Sequence, residues 1–418
     1  MRKKTIFSRD FVLVGTGQII SIFGNQMLRY ALPLYLLNQT GSSALFGVVA
    51  ACSFIPMLLL FPIGGIIADR FNKRNIMVIL DFATAALIVM FCLLYGKIDI
   101  VPLMTVTMII LFGIQGAYQP AVKASVPVLV DEEYMMKANS VIDLIGSTAS
   151  VAGPVLGGIA FSIFGLPPIL YVSIVCFFVS AVMEIFIHMP HTKISAKGNI
   201  LAVALGDIRE SFRFIFKEKP AIWQMSCIVA SVNLLLTTLI LIGVPVIFTQ
   251  RLDFETNTAN RLYGYAQGVM GAGAVLGGVC AGALSNNLKL AASPFLLSGC
   301  ALSILMGGVA LHLFSSATAI YIVLAIGGGL LVALSTVFQI QMMTYFQHLT
   351  PENLIGKVIS CVLCVCMCTN PIGQFVYGFV FEYIGRSAYV PFYAASLLMI
   401  AVSIFTRRIF QPDKRADS

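Results

Sequence analysis

Gly64-Gly-Ile-Ile-Ala-Asp-Arg-Phe-Asn-Lys-Arg-Asn75 lies between two long apolar runs, and its reading decides the fold. An apolar helix ends there, and one acid and three cations follow within a few residues. Charges beside hydrocarbon are costly, so a cluster at this spot marks the edge of a membrane span or a mechanistic element.

Composition agrees. Apolar residues make up 59% of the 418 and charged ones 11%, against about 25% charged in soluble domains. A helix needs about 20 mostly apolar residues to cross a bilayer. Twelve stretches qualify, at roughly 11–36, 44–68, 76–95, 101–122, 138–164, 168–188, 221–249, 262–284, 290–313, 317–345, 354–381 and 388–406. The expected fold is an all-α membrane protein, with twelve transmembrane helices in two pseudo-symmetric six-helix bundles.

The cations orient the chain. With both termini cytoplasmic, the inner segments hold twenty-one of the 26 Lys and Arg residues. The outer segments hold Lys97, Arg251, Arg261 and Arg386, and Arg29 sits inside the first span. That asymmetry is the positive-inside rule. It accounts for the net charge of +8 through anionic lipid, without nucleic acid. The basic start followed by an apolar run imitates a signal peptide. No small-residue cleavage site follows it, so the first span is read as uncleaved.

Residues 189–220 form the longest polar stretch and divide the chain into bundles 1–188 and 221–418. Within it, Ile208, Phe212, Ile215 and Phe216 recur at helical spacing opposite Arg209, Arg213 and Lys217. That pattern reads as an amphipathic helix on the inner membrane surface. The halves echo each other. A shift of 220 residues brings Val130–Ser140 onto Thr350–Ser360, with Lys137 on Lys357 and Ser140 on Ser360. Gly64-Gly65 has a counterpart in Gly277-Gly278. Weak repeats of this kind mark transporters built around a site near the bilayer midplane.

The loop after the second span resembles the signature of the major facilitator superfamily. Ala31-Leu-Pro-Leu-Tyr35, Thr40-Gly-Ser42, Tyr118-Gln-Pro-Ala121, Ala138-Asn-Ser140, Gly153-Pro-Val-Leu-Gly-Gly158 and the Arg209–Phe216 helix extend the resemblance over nearly the whole chain. They are similar to the bacterial drug:proton antiporter branch, which includes macrolide-efflux and siderophore-export proteins. The resemblance implies a multi-pass protein of the bacterial cell membrane, with a small-molecule substrate and protons as coupling ion. It implies a gating motif of Gly65, Asp69, Arg70, Arg74 and Asp81, in which Asp69 caps a helix of the other half and Arg70 and Arg74 hold it. It implies a hinge at Gly153, Pro154, Gly157 and Gly158, where glycine permits close packing and proline removes a backbone hydrogen bond. One departure stands out. Neighbouring antiporter branches carry an arginine three residues before a Gln-Gly pair in the fourth span. Gln115-Gly116 is present, but Phe112 occupies that position.

Ionisable groups within spans are the sharpest candidates for function. Arg29 continues a polar stripe with Gln18, Ser21 and Asn25, and either binds anions or snorkels to the outer interface. Asp143 is the first choice for a proton carrier, alongside Arg29, with a structural partnership to Lys137 or Lys123 as the alternative. Asp81 is expected in a charge network with Arg70 or Arg74, and Glu184 at the inner interface near His188. Asn25, Gln115, Tyr118, Gln119, Asn233, Thr237, Gln339, Gln341, Asn370 and Gln374 are the candidates for a largely apolar substrate cavity.

Enzyme signatures are missing. No phosphate-binding glycine loop points to ATP, no cofactor motif occurs, and no histidine pair has metal-ligand spacing. Four cysteines, Cys361, Cys364, Cys366 and Cys368, scatter around the eleventh span and read as small membrane-helix residues. The expectation is a proton-coupled exporter of hydrophobic or amphipathic molecules working by alternating access. A specific exporter of a siderophore-like or lipid metabolite, or a transport-inactive membrane partner or sensor, stay open. Oligomeric state is open as well.

Overall fold

A computed structural model describes residues 8–189, 213–284, 290–351, 354–385 and 387–410, with the side chains of 62, 66, 69, 132, 291, 355, 356 and 410 left aside. Among the described residues twelve long apolar helices are present, as the sequence predicts. They are α1 (Arg9–Thr40), α2 (Ser43–Arg70), α3 (Lys73–Leu94), α4 (Ile100–Leu129), α5 (Met135–Phe164) and α6 (Leu166–Ile185). After these come α7 (Pro220–Arg251), α8 (Thr256–Ala283), α9 (Ser293–Leu313), α10 (Ala317–Leu349), α11 (Ile355–Ile384) and α12 (Tyr389–Phe410).

Local chemistry sets the ends. Ser8, Ser42, Asn72 and Ser316 each accept a backbone N–H of the first turn that they cap, which satisfies one of the helix's orphan donors. Gly41, at φ 63°, closes α1 in the left-handed conformation. The fourth span runs on to Leu129 rather than stopping near 122. Ser125 bonds back to the Val122 carbonyl, and Pro127, inside the last turn, removes one bond of the ladder without ending it. Helix α7 is wider than a plain α-helix over Asn233–Thr237, Leu239–Gly243 and Ile247–Arg251, where N–H groups pair five residues back. Such π-helical stretches are rare and frequent at functional sites.

The chain falls into two compact units, residues 1–195 with 255–268, and residues 196–254 with 269–418. In the first, α2 lies along α4, α1 packs on α5 and α6, and α3 packs on α4 and α6. The start of α8 joins this unit. Tyr263 stacks on Tyr30 at 5.2 Å, and Asn38 donates to Asn260 Oδ1 at 2.9 Å. In the second unit α9 packs on α10 and α12, and α7 on α11.

Glycine sets the closest crossings. A Cβ at Gly116 of α4 would sit 2.6 Å from the Met57 carbonyl oxygen, and one at Gly277 of α8 would strike the Ala333 backbone of α10. Close approach of backbones at small residues is how helices gain contact in lipid, where no hydrophobic force draws them together. Large apolar side chains such as Leu59, Ile79, Phe295 and Leu397 are exposed, as a hydrocarbon surround requires.

The expected amphipathic helix, residues 207–217, lies outside the described residues as far as 212. Its end is visible: Phe214–Glu218 forms one wide turn, with Phe214 and Ile215 buried and the Phe216 ring 4.5 Å from Trp223. Asp69 also lies outside the described side chains.

Candidate functional site

Polar groups concentrate where α1, α3, α4 and α6 meet in the first unit. Gln18, Ser21 and Asn25 repeat along one buried face of α1. The Gln18 amide nitrogen donates to the Tyr118 hydroxyl at 2.6 Å, and Tyr118 donates to Glu184 Oε1 at 2.8 Å. Ser21 donates to Asp81 Oδ1 at 3.1 Å, and the Ser180 and Tyr118 hydroxyls lie beside the same carboxyl. Asp81 is 2% exposed and Glu184 0%. Small residues let α1 and α6 approach. Ser173 and Ser180 of α6 donate to the Gly24 and Gly17 carbonyls at 3.2 and 3.1 Å.

Two expectations are corrected by this geometry. Asp81 bonds to Ser21 on α1 rather than to Arg70 or Arg74: it lies seven residues beyond Arg74, about 10 Å at helical rise, and the Arg74 guanidinium is taken by carbonyls at the end of α6. Glu184 is not at the inner interface beside His188; it points into the bundle and meets Tyr118. A signal for Glu184 was present. Ser173, Phe177, Ser180 and Glu184 recur at three to four residues, the spacing of one buried helix face.

Arg74 serves the end of the bundle where α6 stops. It donates to the carbonyls of Ile185 and Ile187 at 3.5 and 3.4 Å, so its positive charge sits at the C-terminus of α6, where the helix dipole favours it. Asp10 accepts the His188 backbone N–H at 3.0 Å and ties α1 to the same end. Arg70 ends α2 in its last turn, and Gly65 has no neighbour within contact of an added Cβ.

Arg29 is half-buried, with its guanidinium 4.7 Å from the centre of the Phe112 ring. That is a cation–π contact. Phe112, standing where related branches carry arginine, is thus the seat for this chain's own intramembrane arginine. Ser21, Asn25, Asp81, Thr84, Gln115 and Tyr118 line a cavity barely wide enough for one water, and Gln119 is half-buried on the same helix as Gln115. Asp143 is exposed on α5, and its backbone carbonyl accepts the Ser147 hydroxyl at 2.8 Å. Further along α5, Gly153 faces Gln26, Gly157 faces Met27 and Tyr30, and Gly158 meets Gly264, with Pro154 inside the helix.

The second-unit candidates are dispersed. Asn233, in the widened part of α7, donates to the Cys366 carbonyl at 3.1 Å, and Thr237 lies 3.5 Å from Asn233 Oδ1. Asn370 Oδ1 and Gln374 Oε1 on α11 are buried without a hydrogen-bond partner. Gln341 accepts from Ser293 at 2.9 Å, while Gln339 is exposed. On α11, Cys366 is buried, Cys361 half-buried, and Cys364 and Cys368 exposed.

Twelve bilayer-length helices with polar and ionisable groups turned into a buried core define a multi-pass membrane transport protein. The profile of the Major Facilitator Superfamily matches residues 14–369, and the chain belongs to that family. Its sequence is similar to macrolide efflux protein A of Streptococcus pyogenes, 23% identical over 46% of this chain and 47% of that protein. It is also similar to the staphyloferrin A transporter of Staphylococcus aureus (strain NCTC 8325 / PS 47), 24% identical over 46% and 47%. The chain thus spans about half the length of these two relatives. An uncharacterized MFS-type transporter of Bacillus subtilis (strain 168), YfiS, is 25% identical over 93% of this chain and 90% of its own. Among solved structures a D-xylose-proton symporter superposes with a TM-score of 0.73, at 14% identity over 96% and 97% of the two chains. That likeness concerns the fold alone.

Proposed function

We propose that this protein exports hydrophobic or amphipathic small molecules, of drug or macrolide type, in exchange for protons and by alternating access. It would do so from the bacterial cell membrane, with both termini cytoplasmic and the bundles 1–188 and 221–418 joined by the segment 189–220. The observation that carries the reading is the similarity of half the chain to a macrolide efflux protein, in a family of transporters. Charge placement supports the orientation, since most Lys and Arg residues fall in one alternate set of loops. Gly65, Asp69, Arg70 and Arg74 remain the proposed gating motif, without the Asp81 first grouped with them, and Gly153–Gly158 the proposed hinge. Asp143 and Arg29 remain candidates for coupling.

A second reading has its own support. The staphyloferrin A transporter is similar over a comparable stretch, and the half-buried Arg29 offers a cation that an anionic, siderophore-like substrate would use. Expression in an efflux-deficient bacterium separates the readings. Accumulation of ethidium and erythromycin is expected to fall, and a protonophore to restore it. Unchanged accumulation of every hydrophobic compound would transfer the weight to the metabolite exporter.

A further inference from the structure

Three buried oxygens in the first unit lack any hydrogen-bond partner: Gln18 Oε1, Asp81 Oδ2 and Glu184 Oε2. The side chains carrying them are at most 2% exposed. Four donors around them are already committed. From α1, the Gln18 amide nitrogen goes to Tyr118 and the Ser21 hydroxyl to Asp81. From α4, the Tyr118 hydroxyl goes to Glu184, and from α6 the Ser180 hydroxyl goes to the Gly17 carbonyl.

Charged neighbours are spent too. Arg74 of α3 donates to the Ile185 and Ile187 carbonyls, and the His188 backbone is bound to Asp10. Arg29 lies eight residues beyond Ser21 along α1, about 12 Å at helical rise, and rests on Phe112. Cys176 of α6 packs against Gly24, above the cluster. Among the described residues no cation forms an ion pair with either carboxyl.

Each carboxyl is therefore left with one buried oxygen that no donor meets, and a proton is the simplest thing to complete it. An ionised carboxylate only accepts, whereas a carboxylic acid also donates through its own O–H. One proton on each acid would supply two donors and remove two buried negative charges, each costly alone in an apolar interior. A proton needs no room. The adjoining cavity holds barely one water, too little for a hydrated metal ion.

We propose that Asp81 and Glu184, with Tyr118 between them, form the proton-carrying site of this protein. This rests on the proton-exchange reading above and assigns it to residues other than Asp143. In transfer, after Asp81 has released its own proton to the cavity, Glu184 gives its proton to the Tyr118 oxygen as the Tyr118 hydroxyl proton passes to the ionised Asp81. The phenol is restored, Glu184 is left ionised, and one proton has moved to the carboxyl that borders Asn25 and Gln115 in the cavity.

The test counts protons on the purified full-length chain in detergent, by pH titration in choline chloride and again in sodium chloride. Glu184→Gln and Asp81→Asn are each expected to bind about one proton fewer and to lose infrared absorbance of a protonated carboxyl. Tyr118→Phe, which keeps both acids and guards against misfolding in the other two, is expected to keep the count and slow its exchange. Ethidium export in cells should lose its protonophore sensitivity in both acid variants. An unchanged proton count in Glu184→Gln and Asp81→Asn would overturn the assignment, as would sodium displacing the protons, which would make the site one for a cation. Wild-type export that ignores the protonophore would overturn proton exchange itself. Sensitive export that both acid variants retain would overturn only the site.

Discussion

Gly64 and Gly65 are neighbours in one motif, yet they should respond oppositely to a single methyl group. A Cβ at Gly64 would lie 2.7 Å from the Ala117 Cα and 3.1 Å from its carbonyl oxygen, whereas a Cβ at Gly65 meets nothing within 4 Å. Ordinary van der Waals contact begins near 3.4 Å, so Gly64→Ala forces α2 and α4 apart by about 0.7 Å, and the atoms it strikes are backbone. A gap of that size forfeits roughly a quarter to a half of each dispersion contact along the crossing, and overpacking of this kind costs about 1–3 kcal/mol. Alanine also raises helix propensity over glycine by about 1 kcal/mol. That gain is common to both positions, so the difference between the two variants isolates the clash. At about 2–4 °C per kcal/mol for a unit of this size, Gly64→Ala should melt several degrees below Gly65→Ala in the same detergent at one scan rate. Coincident melting curves, or a lower midpoint for Gly65→Ala, would refute the packing of α2 on α4 described above.

Phe112→Arg sets a second guanidinium beside Arg29, which now stands 4.7 Å from the ring. It should lower the melting midpoint more than Phe112→Leu, which gives up a cation–π contact of about 0.5–2 kcal/mol. Tyr118→Phe removes two hydrogen bonds, to Gln18 and Glu184. At about 0.6–1.7 kcal/mol each within a membrane protein, it should melt below Tyr383→Phe, whose site is 82% exposed. Arg74→Gln takes a charge from the C-terminus of α6 at a cost of about 0.3–1 kcal/mol. That deficit should shrink as salt is added, and a salt-independent deficit would show that packing, not charge, is lost.

Element type and number were legible because a span is a matter of length and apolarity, both carried by local sequence. The rotation of each helix about its own axis was not. In water an apolar stripe tells which face turns inward, but here α3 and α6 are apolar all round, and exposed Ile79 and Val175 look no different in sequence from buried Met77 and Phe177. Only the few polar residues carry that information, and for Asp81 and Glu184 nearness in sequence points to the wrong neighbours. Asp81 begins close in sequence to a basic loop, which suggested Arg70 and Arg74 as partners, while its side chain meets Ser21, sixty residues away. Glu184 sits at the end of its span, which suggested the interface, although its serine-spaced face held the contrary sign. The stripe Gln18, Ser21 and Asn25 was legible because three polar residues at helical spacing in an apolar helix admit few explanations.

Purified protein in liposomes, with an imposed pH gradient as the sole energy source, tests proton-driven export most directly. Liposomes acidic inside should accumulate ethidium against its own gradient while their lumen loses acid, and collapse of the pH gradient should stop both. Ethidium or erythromycin movement that is indifferent to the gradient would contradict proton exchange, and an absence of movement for both would contradict drug export.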